Sequence, residues 1–126
     1  MEFKDNKPIY LQIVDLCFRK ILKHEWKEEE RIPSVRELSV SLEVNPNTVM
    51  RSYDYLQSEE IIYSKRGMGY FVKVRAYEHT LELQRKSFYE TDLAEIFNTM
   101  TLLDISVDDV VKAYNNQQNK QLNKKV

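Results

Sequence analysis

Asn47 and Arg51 stand four residues apart in "VNPNTVMRSYDYL", one turn apart if the stretch is helical. An asparagine can bridge N6 and N7 of adenine, and an arginine can bridge O6 and N7 of guanine, so a helix presenting both outward is suited to reading base edges. The same two residues also make an ordinary solvated surface. Arg36 adds weight to an anionic partner, because it falls in the first turn of a second expected helix, where the dipole disfavours a cation. Ser34, two residues earlier, has two possible uses: capping that helix, or standing in an N-terminal turn that binds phosphate. Lys65 and Arg66 precede Gly67 and Gly69, the two glycines of the chain. An arginine on such a tip can enter a narrow minor groove, or can serve solubility alone.

Other chemistries lack their residues. His24 and His79 are far apart, with no cysteine or second histidine at ligand spacing, so no metal site is expected. No phosphate-binding Walker loop, nucleophile elbow or paired-carboxylate site is visible, so no catalytic residue, cofactor or enzyme activity is expected. The single cysteine, Cys17, falls in an apolar helical stripe and reads as core. No disulfide framework exists and no apolar run reaches signal-peptide or membrane-span length, which points to a cytoplasmic protein without a membrane partner.

The formal charge of -1 argues against indiscriminate coating of nucleic acid. Its distribution is more telling than its sum. Residues 1 to 75 carry 13 basic and 12 acidic side chains, and residues 76 to 126 carry 6 and 8. The segment "YSKRGMGYFVKVR" holds Lys65, Arg66, Lys73 and Arg75 with no acid, and is the most basic patch of the chain.

These residues need elements to position them. A first helix is expected from just after Asp5 or Asn6, with Pro8 in its first turn, to about Trp26, turning Ile9, Ile13, Cys17 and Ile21 inward. "HEWKEEER" reads as a charged, irregular and solvated connection. Ser34 with Glu37 forms a capping-box pattern for a short helix from Val35 to about Leu42. Asn45 caps and Pro46 opens a third helix, to about Glu59. On a wheel of about 100° per residue, Val49, Tyr53 and Leu56 share one face, while Asn47, Arg51 and Asp54 lie opposite and Thr48 flanks it. Ile61–Ser64 and Tyr70–Val74 read as two strands of a hairpin whose tip uses Gly67 and Gly69 at positive φ. Helix, helix, helix, hairpin is the order of a winged helix-turn-helix.

A long helical pattern then runs from about Tyr77 to Leu103, followed by a short helix capped by Ser106 with Asp109 three residues on. The polar tail is expected to be frayed. The fold class is therefore mainly α with a small β-hairpin. The domains are a winged helix-turn-helix over 1–75, a C-terminal helical region over 76–118 and a disordered tail over 119–126.

"RIPSVRELSVSLEVNPNTVMRSYDYLQSEEIIYSKRGMGYFV" resembles the DNA-binding domain of GntR-family bacterial transcription regulators, whose pattern runs close to L-P-S-x-R-E-L-A, then V-x-x-x-T-V with a later leucine, then G-x-G-x-F-V. The form "VNPNTVMRSY", followed by only about 50 residues, is similar to the YtrA-like subgroup. That resemblance implies a sequence-specific regulator, a repressor, binding double-stranded DNA as a homodimer on a pseudo-palindromic operator. It implies phosphate contacts from Ser34 and Thr48, and major-groove contacts from Arg36 and the opening turn of the third helix. A wing contact would come from Arg66 and Gly67 beside Lys65. It further implies dimerisation through two C-terminal helices, to which Leu81, Phe88, Leu93, Ile96, Phe97, Met100 and Leu103 would contribute. Any small-molecule effector is left unnamed. Two departures stand out: the glycine usual before "R-I-P" is replaced within "KEEER", and the one common after the third helix is Glu60. The alternative reading is a winged helix used as a protein-interaction module, favoured by the near-neutral charge.

Overall fold

The computed structural model describes residues 2–4 and 6–124, so the part of the expected first-helix start that falls on Asp5 lies outside the described residues. Among the described residues six α-helices and one hairpin follow in order: α1 (Ile9–Leu22), α2 (Val35–Leu42), α3 (Pro46–Ser58), β1 (Ile62–Lys65), β2 (Gly69–Val72), α4 (Ala76–Ser87), α5 (Leu93–Leu102) and α6 (Val107–Lys124). A π-helical turn, Phe88–Asp92, joins α4 to α5. The chain divides into two compact units, residues 1–84 and 85–126. The division falls inside α4, not at the expected 75/76.

In the first unit, α3 packs against both α1 and α2. One core gathers Ile13, Val14, Cys17, Phe18 and Ile21 of α1, Leu38 of α2, Val49, Tyr53 and Leu56 of α3, and Ile62 and Val72 of the hairpin. Full burial of an aliphatic side chain such as Leu56 contributes about 1.5–3 kcal/mol, so α3 is held mainly by this face. Cys17 is buried here, and burial pushes its thiol up to about 12, in keeping with a core role.

α1 ends at Leu22, four residues short of the expected Trp26. His24 turns left-handed at φ 61°, and the N–H groups of Glu25 and Trp26 both fold back to the Lys20 carbonyl. The connection that follows is less irregular than its charges suggest. Glu29 N–H donates to the Val72 carbonyl (2.8 Å), Val72 N–H to Glu30 (3.1 Å) and Ile32 N–H to Tyr70 (3.0 Å), with Arg31 bridged antiparallel to Phe71. Glu29–Ile32 thus lies along the free edge of β2, opposite β1. The hairpin itself pairs Ile62 with Val72 and Lys65 with Gly69, one residue further toward the tip than expected at each strand's inner end.

Both glycine departures take the backbone that glycine would favour. Glu29 has φ 65° and Glu60 φ 59°, and the Ile61 N–H closes on the Leu56 carbonyl at 2.9 Å as in a glycine-ended helix. The side chains find partial compensation: Tyr63 Oη donates to Glu29 Oε2 (3.0 Å) and Lys73 Nζ stands 3.8 Å from Glu60 Oε1.

The expected single helix to Leu103 is interrupted by the π turn at Phe88–Asp92, where the backbone winds one residue wider than in an α-helix. Ser106 and Asp109 cap α6 reciprocally at 3.1 Å each, and hydrogen bonds from the Ser106 backbone and hydroxyl hold the Asp109 carboxyl below its usual range. α6 then continues through the polar residues to Lys124, so residues 119–124 of the expected disordered tail are helical, and 125 and 126 lie outside the described residues.

Candidate nucleic-acid interface

The opening turn of α3 is built by a side-chain cap. Asn45 Oδ1 accepts from the Asn47 backbone N–H at 2.8 Å, and Pro46 occupies the first helical position, where its missing N–H leaves nothing unpaired. Val49, Tyr53 and Leu56 are fully buried, whereas Asn47, Arg51 and Asp54 are exposed on the opposite side and Thr48 is half-buried between them. The helix therefore keeps its polar opening turn in solvent because its other face is sealed.

Three side-chain contacts fix where that turn points. Ser52 Oγ, fully buried, donates to the Tyr10 carbonyl of α1 at 2.8 Å. Tyr53 Oη donates to the Pro33 carbonyl at 2.6 Å, tying the middle of α3 to the chain entering α2. Burial pushes the Tyr53 phenol well above its usual pKa, so it remains a donor at any physiological pH. From the hairpin, the Tyr70 ring meets Tyr53 edge-on at 4.9 Å, and its hydroxyl approaches Met50 Sδ at 3.8 Å.

At the start of α2 the capping box is complete: Ser34 Oγ accepts from Glu37 N–H (3.0 Å) and Glu37 Oε1 accepts from Ser34 N–H (3.1 Å). Those bonds hold the Glu37 carboxyl below its usual range, the backbone N–H of Ser34 contributing most. Ser34 Oγ is thus a cap in this state. Arg36 is exposed in the same turn, with no carboxylate within ion-pair distance among the described residues.

Arg51 is less free than a helical wheel suggests. Its guanidinium lies 3.8 Å from the centre of the Tyr10 ring, a cation–π contact that orients the side chain along α1. Together with Pro8, Ile9, Asn47 and Thr48 this pair lines an open cleft of about 390 Å³ between the starts of α1 and α3. Sequence reading missed Tyr10, and no local signal could have revealed it, because the contact depends on how α1 crosses α3.

The wing tip is a turn closed by Met68 N–H on the Lys65 carbonyl at 2.9 Å. Gly67 supplies φ 76° and Arg66 and Gly67 are both exposed, with open space around the Gly67 Cα. Lys65 folds back instead: its ammonium lies 4.9 Å over the Phe71 ring and 5.9 Å from that of Tyr63. The first unit therefore carries an exposed arginine on each of α2, α3 and the wing. Among the described residues no group of three His, Cys, Asp or Glu side chains could hold a metal ion, and no helix is long and apolar enough to cross a membrane.

Comparison with known proteins agrees with this arrangement. The model of the family "bacterial regulatory proteins, gntR family" matches residues 9–72. Over 75 residues, 60% of this chain and 62% of the relative, the sequence is 39% identical to the HTH-type transcriptional regulator YhcF of Bacillus subtilis. Over 73 residues, 58% of this chain and 56% of the relative, it is 38% identical to the HTH-type transcriptional repressor YtrA of the same organism. The matches thus span about three fifths of these curated relatives. A GntR-family transcriptional regulator of known structure from Bacteroides thetaiotaomicron is 43% identical and superposes with a TM-score of 0.72 over 90% of this chain and 98% of that one. With three helices, a wing and the family's motif blocks in register, the chain belongs to the GntR family of bacterial regulatory proteins and is YtrA-like within it.

Proposed function

We propose that the protein is a sequence-specific, cytoplasmic transcription regulator that binds double-stranded DNA as a homodimer and acts as a repressor. The observation that carries this is the division of α3: Val49, Tyr53 and Leu56 lie at 0% exposure while Asn47 and Arg51 open the opposite face. That arrangement suits a recognition helix whose N-terminal residues meet base edges. Arg36, and Arg66 with Gly67, stand on the two elements that flank such a helix, where phosphate and minor-groove contacts position a winged helix. Thr48 is half-buried at the rim, with its hydroxyl available for a phosphate. Ser34 contributes through the turn it caps, and Lys65 through charge near the tip. The repressor role is carried by analogy with YtrA alone.

Dimerisation rests on the second unit. Ile96, Phe97 and Leu103 of the α5 region and Val107, Val110, Val111 and Tyr114 of α6 recur at helical spacing, and each is at least 40% exposed. So much apolar surface on two successive helices suits a self-complementary interface, to which Phe88 and the half-buried Leu93 and Met100 add area. Leu81 differs: it is half-buried within the first unit. Two winged helices related by a dyad would occupy half-sites about 10 base pairs apart or a multiple of that.

Arg36→Ala and Arg51→Ala test the DNA reading against the duplex preceding the protein's own gene. Both should weaken binding, and log K for the parent should fall steeply with log salt. Flat salt dependence and unchanged affinity in both variants would leave a protein-interaction module as the better reading. Light scattering tests the dimer, and a monomer at tens of micromolar would sink that part.

A further inference from the structure

The Glu29–Ile32 segment beside β2 turns alternate side chains to opposite faces. Ile32 enters the core at 3% exposure, which leaves Arg31 on the outer face of the wing. The pairs Tyr63 with Phe71 and Lys65 with Gly69 share that face, since directly opposed residues of a ladder project the same way. Arg31 crosses β2 at Gly69: a methyl group there would stand 3.1 Å from Nε and 3.7 Å from Nη2. The glycine therefore serves its own φ of 109° and also admits the arginine.

Beyond Gly69 the guanidinium reaches the first turn of α2, where Nη2 stops 3.7 Å from Glu37 Oε1. That is an ion pair without hydrogen-bond contact, and the same oxygen is already committed to the Ser34 N–H. The side chain remains 56% exposed, and none of its five N–H donors is in a hydrogen bond among the described residues. An exposed pair of this kind adds little to stability. What the arrangement does is hold a planar cation at the junction of wing and α2, beside the turn that carries Arg36 and on the wing face that carries Lys65.

We infer that Arg31 is a further DNA contact, a sequence-blind phosphate anchor between the wing and α2. This rests on the DNA-binding reading above and assigns a role to a residue for which the resemblance implied no contact. A guanidinium lying flat across a strand and anchored at one edge offers its free fork to a phosphate bidentately. Its distance in sequence and element from the α3 opening turn leaves base reading to Asn47 and Arg51.

Binding of the 126-residue chain to the duplex preceding its own gene, and to a scrambled duplex of the same composition, over a range of salt tests this with Arg31→Ala and Arg31→Lys. The alanine variant should weaken both duplexes by a similar factor, roughly tenfold, and lower the slope of log K against log salt by about one. Its melting midpoint should match the parent's. The lysine variant should recover the slope and only part of the affinity, because it keeps the charge and loses the fork. An unchanged slope in Arg31→Ala overturns the proposal while leaving DNA binding intact, as does a loss confined to one duplex or one matched by a fall in melting midpoint. A parent whose own log K is flat against salt overturns the DNA-binding reading itself.

Discussion

Tyr53→Phe isolates one bond that aims the candidate recognition helix. The ring is at 0% exposure and keeps its packing in the phenylalanine variant, so the perturbation is confined to a hydroxyl. Losing it removes the 2.6 Å bond to Pro33 and leaves that carbonyl without its tyrosine partner where the chain enters α2. Orphaning this part-buried acceptor costs about 1–3 kcal/mol. For a unit of this size each kcal/mol moves the melting midpoint by about 4–8 °C, so a loss of about 4–24 °C is expected. Tyr70→Phe is the matched control: its hydroxyl only approaches Met50 Sδ at 3.8 Å near the surface, and its removal should cost less than about 0.5 kcal/mol. Urea unfolding followed by the fluorescence of Trp26, the sole tryptophan, reports the first unit, against whose core it packs. The slope with denaturant should stay constant while the midpoint falls only for Tyr53→Phe. Equal effects from the two variants, or a Tyr53→Phe loss below about 0.5 kcal/mol, would refute the reasoning that this hydroxyl bond ties α3 to α2.

Three other outcomes follow from specific geometry. Glu60→Gly should stabilise the chain by about 0.5–1 kcal/mol in urea unfolding, because glycine adopts φ 59° without the left-handed penalty; Glu29→Gly should gain less, since it also loses the bond from Tyr63. Tyr10→Leu keeps apolar bulk but removes the ring under Arg51, and a binding titration should show about a two- to five-fold loss with the salt slope unchanged, since such a contact is worth about 0.5–1 kcal/mol at an exposed site. The Glu37 carboxyl sits below its ordinary 4.5 in the folded state, so its contribution is complete above that value and is lost as pH falls through the lowered folded pKa. Glu37→Gln, which can still cap, should therefore lose less stability than the parent between pH 5 and about 3 in acid unfolding, and parallel curves would count against this assignment.

Local features of the fold were legible because their causes lie within a few residues. Ser34 and Glu37, Asn45 and Pro46, and Ser106 with Asp109 announced three helix starts, and each cap forms as its spacing requires. The faces of α3 followed from helical period alone, and the wing from two glycines flanked by alternating residues. The boundaries that shifted did so where backbone pairing intervened. α1 stops at Leu22, with the N–H groups of Glu25 and Trp26 folding back to Lys20, and β2 begins at Gly69 because that residue pairs with Lys65 across the hairpin. The polar composition of residues 115–124 argued for fraying, yet it carries no helix breaker and continues α6.

The sequence by itself determined which residues face inward, where helices start and which side chains could meet an anion, since period and capping act over at most one helical turn. Only the tertiary structure decided which of those side chains are held and by what. Arg51 lies on Tyr10, Tyr53 bonds Pro33, and Arg31 threads past Gly69 to Glu37, pairs separated by 6 to 41 positions. Such contacts arise from the crossing of packed elements and from backbone pairing at a distance, quantities that no window of neighbouring residues encodes.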